Sequence, residues 1–282
     1  MPLILFVVLA GLVSCGSAES APSKKEPIPS EKEALVHEVA HVPEVVDTPI
    51  VIDTIEKTIL LGKINPARDT NFSLIASKYT TKSNIYMRSE AYEAFVEMHT
   101  AAAKEGVNLK IISATRPFNS QKGIWEAKWN GGRKVGGKNL SISVPDPVER
   151  AKTILRYSSM PGTSRHHWGT DIDLNNLENS YFESGTGKKI YDWLTAHGAE
   201  YGFCQPYSPV GESRPNGYQE ERWHWSYMPI ASRFLKAYQN QIALSDIHGF
   251  KGSETAEGLN VIENYVSGIA VPCREWNPVK TD

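Results

Sequence analysis

A basic tract is missing from this chain: its 282 residues carry a formal net charge of −2, without the electrostatic footprint of a nucleic-acid-binding protein. Cysteine is scarce, with Cys15, Cys204 and Cys273 the full set and no Cys-x-x-Cys spacing; neither a thiolate metal site nor a redox dithiol is encoded. The apolar run from Met1 to Ser14 falls short of the roughly 20 residues that a membrane-spanning helix needs. Aromatic residues are absent between Phe6 and Phe72, and residues 16–58 hold nine acids against four lysines with several prolines. Such a stretch buries too little apolar surface to offset its chain entropy.

Residues 1–14 have the length and composition of a secretory signal core. They lead into Leu12-Val-Ser-Cys15, which resembles a bacterial lipobox, so Cys15 is the expected site of lipidation and residues 15–58 a flexible acidic tether. His37 and His41, four apart within it, have no third ligand nearby and read as solvated. Export permits disulfides, and the remaining pair, Cys204 and Cys273, is expected to form one.

Order is expected from about Leu60, with a single domain over 59–242 and a helical extension over 243–282 packed on it. Ser89 is positioned to cap a helix that turns Ala91, Phe95, Met98 and Ala102 to one face and stops near Gly106. A strand over 109–113 follows, then a helix over 119–130. Asp146-Pro147-x-Glu149 reads as a capping box opening a helix to about Tyr157. Strands are expected over 169–174 and 223–227, the latter stopped by Pro229, with a helix over 188–197 closed by Gly198 between them. A last helix is expected over 253–266. Helices and strands mix without a regular βαβ repeat, which predicts an α+β domain with a central antiparallel sheet.

Two short segments carry the chemistry. Pro161-Gly-Thr-Ser-Arg-His-His-Trp-Gly-Thr-Asp-Ile-Asp173 and Glu221-Arg-Trp-His224 supply two histidines and carboxylates, the donors of a hydrolytic zinc site. His166, Asp173 and His224 would hold the metal, and Glu221 would take the proton from an attacking water. Positions 171 and 173 share a face of an extended strand, so spacing alone leaves Asp171 as an alternative ligand. His167 would point away from the metal and read as a rim residue. Glu221 and His224, three apart, need a bulge or an entry turn to reach one centre.

These motifs resemble the VanY-type D-alanyl-D-alanine carboxypeptidases. Ser164-x-His166 with Asp173 seven residues on, then Glu221-x-x-His224, match that family's order; Ser113-Ala-Thr-Arg116 with Gln121 resembles its Ser-Gly-Tyr-Arg segment. The resemblance spans about 71–227. Arg165, Asp171 and Arg222 depart from the usual pattern. It implies one zinc on His166, Asp173 and His224, with Asp171 orienting a ligand histidine and Glu221 as base. It also implies Arg116, Gln121 and Ser164 as substrate contacts, Arg116 meeting the terminal carboxylate or the oxyanion, while Gln121 and Ser164 read equally as local caps. Trp168, Trp223 and Trp225 are either cleft walls or core. The implied protein is a monomeric, lipid-anchored envelope enzyme acting on peptidoglycan stem peptides. L,D-carboxypeptidase and endopeptidase activities, or a non-catalytic wall-binding module, stay open on the same motifs.

Overall fold

The computed structural model describes residues 55–276. Cys15, His37, His41 and the expected signal and tether up to Thr54 lie outside the described residues. A short α1 (Lys57–Leu60) leads to a hairpin of β1 (Phe72–Leu74) and β2 (Tyr86–Arg88), then α2 (Ser89–Lys104) and β3 (Ile111–Ser113). Three helices follow: α3 (Phe118–Trp129), α4 (Leu140–Ser143) and α5 (Pro147–Leu155). Next come β4 (Asp171–Leu174), α6 (Gly185–His197), β5 (Phe203–Cys204), β6 (His224–Tyr227), α7 (Met228–Gln241) and α8 (Val271–Arg274). The larger sheet has the order β3-β4-β6-β5 with antiparallel neighbours throughout. This is the α+β class with a central antiparallel sheet. Among the described residues no helix is long and apolar enough to cross a membrane.

Period-two alternation explains how the sheet serves two purposes. Ile172 and Leu174 of β4, with Trp225 and Tyr227 of β6, pack on the core that α2 and α6 cover through Phe95, Met98, Ile190 and Leu194. The intervening Asp171, Asp173, His224 and Ser226 point to the opposite face, yet every residue of both strands is buried. A second core covers that side, built from α3, α5 and α7 through Trp125, Ile154, Phe234 and Tyr238.

Local sequence accounts for most helix ends. Ala91, Phe95, Met98 and Ala102 all face inward from α2, and Gly106 takes a left-handed φ of 73° just past its end, the conformation glycine adopts at low cost. Ser89 is the first helical residue rather than the cap, and its hydroxyl pairs with that of Ser73 at 3.0 Å. Asp146 accepts from the Glu149 amide at 2.9 Å, but Glu149 turns its carboxylate to Lys152 instead of closing the box. Gly198 does not end the chain's helical course; a 3₁₀ turn continues to Tyr201, and Gly202 stops it at φ 80°.

In the C-terminal third one helix was not anticipated and one expectation fails. Pro229 ends β6 but also opens α7, standing in the first turn where a missing N–H costs nothing; Ala231, Phe234, Leu235 and Tyr238 bury the face that follows. The single helix expected over 253–266 is absent. A 3₁₀ turn at Ser253–Thr255 and a π turn at Ile262–Val266 stand there instead, separated by Asn260 in the left-handed region at φ 43°, which a right-handed helix does not accommodate. Phe250, Leu259, Val261 and Ile269 of this segment enter the second core beside Trp125 and Trp129, so it completes that core. Cys204 of β5 is bonded to Cys273 of α8, Cα atoms 5.7 Å apart and 69 residues apart in sequence. Closing a loop of that length restricts the unfolded chain, so a Cys204→Ala, Cys273→Ala protein should lose about 2 to 4 kcal/mol of unfolding free energy. Guanidinium denaturation of both proteins measures this, and equal midpoints would show the cross-link to be energetically idle.

Candidate metal centre

The centre grows from the register of β4 and β6. Asp173 stands opposite His224, and Asp171 opposite Ser226. His166 arrives from elsewhere, on a 3₁₀ turn at Arg165–Trp168 that ends at Gly169, φ 75°. A Cβ at Gly169 would come within 2.4 Å of the Phe72 ring, so both backbone and space require glycine there. The His166 Nδ1–H donates to the Ala114 carbonyl at 2.8 Å, which leaves Nε2 facing Asp173 Oδ1 at 3.3 Å. His224 donates from Nε2 to Asp171 Oδ2 at 2.8 Å and turns Nδ1 toward Asp173 Oδ1 at 3.2 Å. One donor atom from each of His166, Asp173 and His224 lies within 4.8 Å of the other two.

The donor set fits a metal ion. Among the described residues, His166 Nε2 and Asp173 Oδ1 are buried without a hydrogen-bond partner, an expensive condition unless a cation satisfies them. Two imidazoles and a carboxylate are the donors of a catalytic zinc site with an open position. Burial, reinforced by Arg116, pulls the His166 pKa down. Burial would raise Asp173, but attraction to His166 and His224, whose ring nitrogens stand 3.3 and 3.2 Å away, holds it well below the carboxylate range. Burial opposes charge on His224 as well, and its hydrogen bond to Asp171, with the Asp173 and Glu221 carboxylates beside Nδ1, outweighs it, raising that pKa. The Tyr207 ring packs against His224 with centroids 4.6 Å apart.

Glu221 reaches the centre through an entry turn: the His224 amide donates to the Glu221 carbonyl at 3.2 Å, and Glu221 Oε2 comes to 3.4 Å from His224 Nδ1. Burial raises its pKa. Asp171, wholly buried, accepts from Arg165 Nε at 3.0 Å, Thr170 Oγ1 at 2.7 Å and Ser226 Oγ at 2.8 Å besides His224. With four donors around it, Asp171 orients the His224 ring from behind. Arg165 answers the unusual carboxylate at 171, and its guanidinium stacks over Trp168 at 4.7 Å.

Other residues stand differently from the sequence expectation. His167 is not on a rim. The backbone is coiled rather than extended there, and the ring is fully buried, donating from Nδ1 to the Arg116 carbonyl at 2.5 Å and accepting from the Gly162 amide at 2.9 Å. Burial pushes its pKa down to about 3, so it is a neutral brace. Gln121 is fully buried and both ends of its amide are taken, by Arg116 Nη1 at 2.9 Å and the Ser159 carbonyl at 2.7 Å. It holds Arg116 and, being fully buried, presents no surface to a peptide. Ser164 is buried with an unpaired hydroxyl. Trp168 and Trp225 belong to the cores, whereas Trp223 also lines the cleft.

A cleft of ≈ 1240 Å³ opens over Asp173, Glu221 and Arg116. Arg116 Nη2 lies 3.9 Å from Asp173 Oδ2, which puts the guanidinium beside the centre. The sequence reading did not single out Ser226, Tyr207 or Lys128. Ser226 was findable, two residues from His224 on the same strand face; Tyr207 and Lys128 carry no local signal.

The family model for the D-alanyl-D-alanine carboxypeptidase VanY matches residues 84–230. The chain belongs to this family. A putative carboxypeptidase of Bacillus subtilis, YodJ, is 30% identical over 57% of this chain and 53% of its own. The D-alanyl-D-alanine carboxypeptidase of Enterococcus faecium is 26% identical over 56% and 43%. An uncharacterized protein of Haemophilus influenzae shares 37% over 84 residues, 29% of this chain and 58% of that one. The chain thus spans about half the length of these curated relatives. Among solved structures, VanYB in complex with D-alanine-D-alanine is 21% identical, covering 63% of this chain and 87% of that one with a TM-score of 0.44.

Within the centre, the Arg165–Asp171 pair is buried on both sides, where removing one partner strands the other charge. Asp171→Ala should therefore cost about 3 to 5 kcal/mol of unfolding free energy. A loss under about 1 kcal/mol in urea denaturation of the metal-free protein would mean that Arg165 finds another partner.

Proposed function

We propose that this chain is a zinc-dependent carboxypeptidase that removes the C-terminal D-alanine from peptidoglycan stem peptides in the bacterial cell envelope. One observation carries the reading: His166 Nε2, Asp173 Oδ1 and His224 Nδ1 converge beside Glu221 at the floor of an open cleft. Zinc bound by these three residues would supply a water of lowered pKa and polarise the scissile carbonyl. Glu221, its pKa raised by burial, takes the proton of the attacking water and returns it to the departing amine. Asp171 keeps His224 in the tautomer that leaves Nδ1 free. Arg116, gripped by Gln121, offers a planar pair of donors to the substrate's terminal carboxylate. Lipidation of Cys15 would hold the enzyme to a membrane surface, and Cys15→Ser should then release it to the soluble fraction.

The metal and the base are separable by experiment. The purified protein should bind about one zinc per chain, and His224→Ala should lose it. Glu221→Gln should keep the zinc yet lose turnover of stem peptides by a factor on the order of 10² or more; near-normal turnover would assign the proton transfer to another group.

The role of Arg116 predicts that amidating the terminal D-alanine lowers kcat/KM by roughly 30-fold to 1000-fold, the equivalent of about 2 to 4 kcal/mol for a charged group left unpaired. Arg116→Lys should erase much of that difference. Equal cleavage of free and amidated peptides would point instead to an endopeptidase in which Arg116 stabilises the oxyanion and its loss slows every substrate alike.

A further inference from the structure

A half-buried lysine on the cleft wall has no part in the chemistry above. α3 turns Ser120, Ile124 and Lys128 to the cleft, a spacing of four that stacks side chains on one helical face. Lys128 Nζ donates to Ser158 Oγ and makes no salt bridge among the described residues. Arg133, just past the helix end, lines the same wall with an exposed side chain. Burial, with Arg133 and Arg116 nearby, pulls the Lys128 ammonium down to about 8, against the opposing pull of Glu221. Glu178, an exposed acid of the lining, comes from the segment after β4. An ammonium set among cations and bonded only to a hydroxyl is a position whose charge an incoming anion would satisfy.

We propose that Lys128, supported by Arg133, binds a side-chain carboxylate of the substrate and makes the cleft selective for acidic peptides. This rests on the peptidase reading and names a second charge that the substrate must carry. The first is taken: Arg116 stands beside Asp173 and meets the chain terminus. Lys128 and Arg116 line the same cleft, so a chain ending at Arg116 would bring an upstream side chain past the lysine.

Four N-acetyl tetrapeptides test this. All end in two D-alanines; two carry Glu and two carry Gln at both preceding positions, each with a free or an amidated terminus. Binding is measured by calorimetry on the zinc-loaded, full-length Glu221→Gln protein, so that turnover does not enter. The Glu peptides should bind roughly 10-fold or more tighter than the Gln peptides, the worth of a charge-assisted hydrogen bond. Adding Lys128→Gln should erase that preference and leave the effect of amidation unchanged, whereas Lys128→Arg should retain most of it. No preference for Glu over Gln, binding of none of the four, or a preference that survives Lys128→Gln would overturn the proposal. So would loss of the amidation effect in Lys128→Gln, which would assign the lysine to the terminus. Cleavage of the same peptides by the wild-type protein is scored separately, and its absence would remove the peptidase reading while the binding result stands alone.

Discussion

The pairing of β4 with β6, with Asp173 opposite His224, is the constraint on which the centre depends. A strand shifted by one residue exchanges its two faces. Here that exchange would drive Ile172, Leu174 and Trp225 out of the core and carry two aspartates and a histidine into it. The apolar packing of one face therefore enforces the chemical geometry of the other. Register is specified more firmly than in a sheet with one wet face, because both faces of these strands are covered.

Such burial concentrates charge at a cost the fold meets by pairing. Asp171 is offset by Arg165, Ser226, Thr170 and His224, a set complete enough to hold a carboxylate in a dry interior. Asp173 is served less well, since Oδ1 has no hydrogen-bond donor and faces a histidine nitrogen that also lacks a partner. The contrast separates the two aspartates, which spacing alone could not do. One is saturated by protein donors and orients; the other retains the unmet valence that a cation would fill.

Much of this was legible in residue order, for reasons that also explain the failures. The inward face of α2, the alternation of β4 and the Asp146 cap are local patterns, and they appear in the structure within a residue or two. His167 turns inward because a left-handed Gly169 closes a tight 3₁₀ turn, which residue order alone does not distinguish from an extended strand. Pro229 was read as a stop although a proline in the first turn equally starts a helix. Gln121 has the polarity of a substrate contact, and only the tertiary structure reveals both ends of its amide engaged. Lys128 lies on a flank of α3, beside the stripe of Gln121, Trp125 and Trp129 that the helix buries, and which flank meets the cleft is decided by packing.

The parts that would act on substrate and metal also prove to be one piece of backbone. Residues 114–116 and 162–167 are joined by the Arg116 amide to the His166 carbonyl at 3.0 Å, His166 Nδ1 to Ala114, His167 Nδ1 to the Arg116 carbonyl, and the Gly162 amide to His167 Nε2. Gln121 then ties the Arg116 guanidinium to the carbonyl of Ser159 just upstream of that turn. Arg116 and His166 therefore cannot move independently. A group that reads one end of a substrate is held in fixed relation to a donor at the proposed centre, and such fixed relations are what positioning requires, since a misplacement of 1 Å at a reacting centre can cost on the order of 10²-fold in rate. The neutral His167 completes the brace: with its pKa near 3, the ring keeps one donor, to the Arg116 carbonyl, and one acceptor, for the Gly162 amide, at neutral pH.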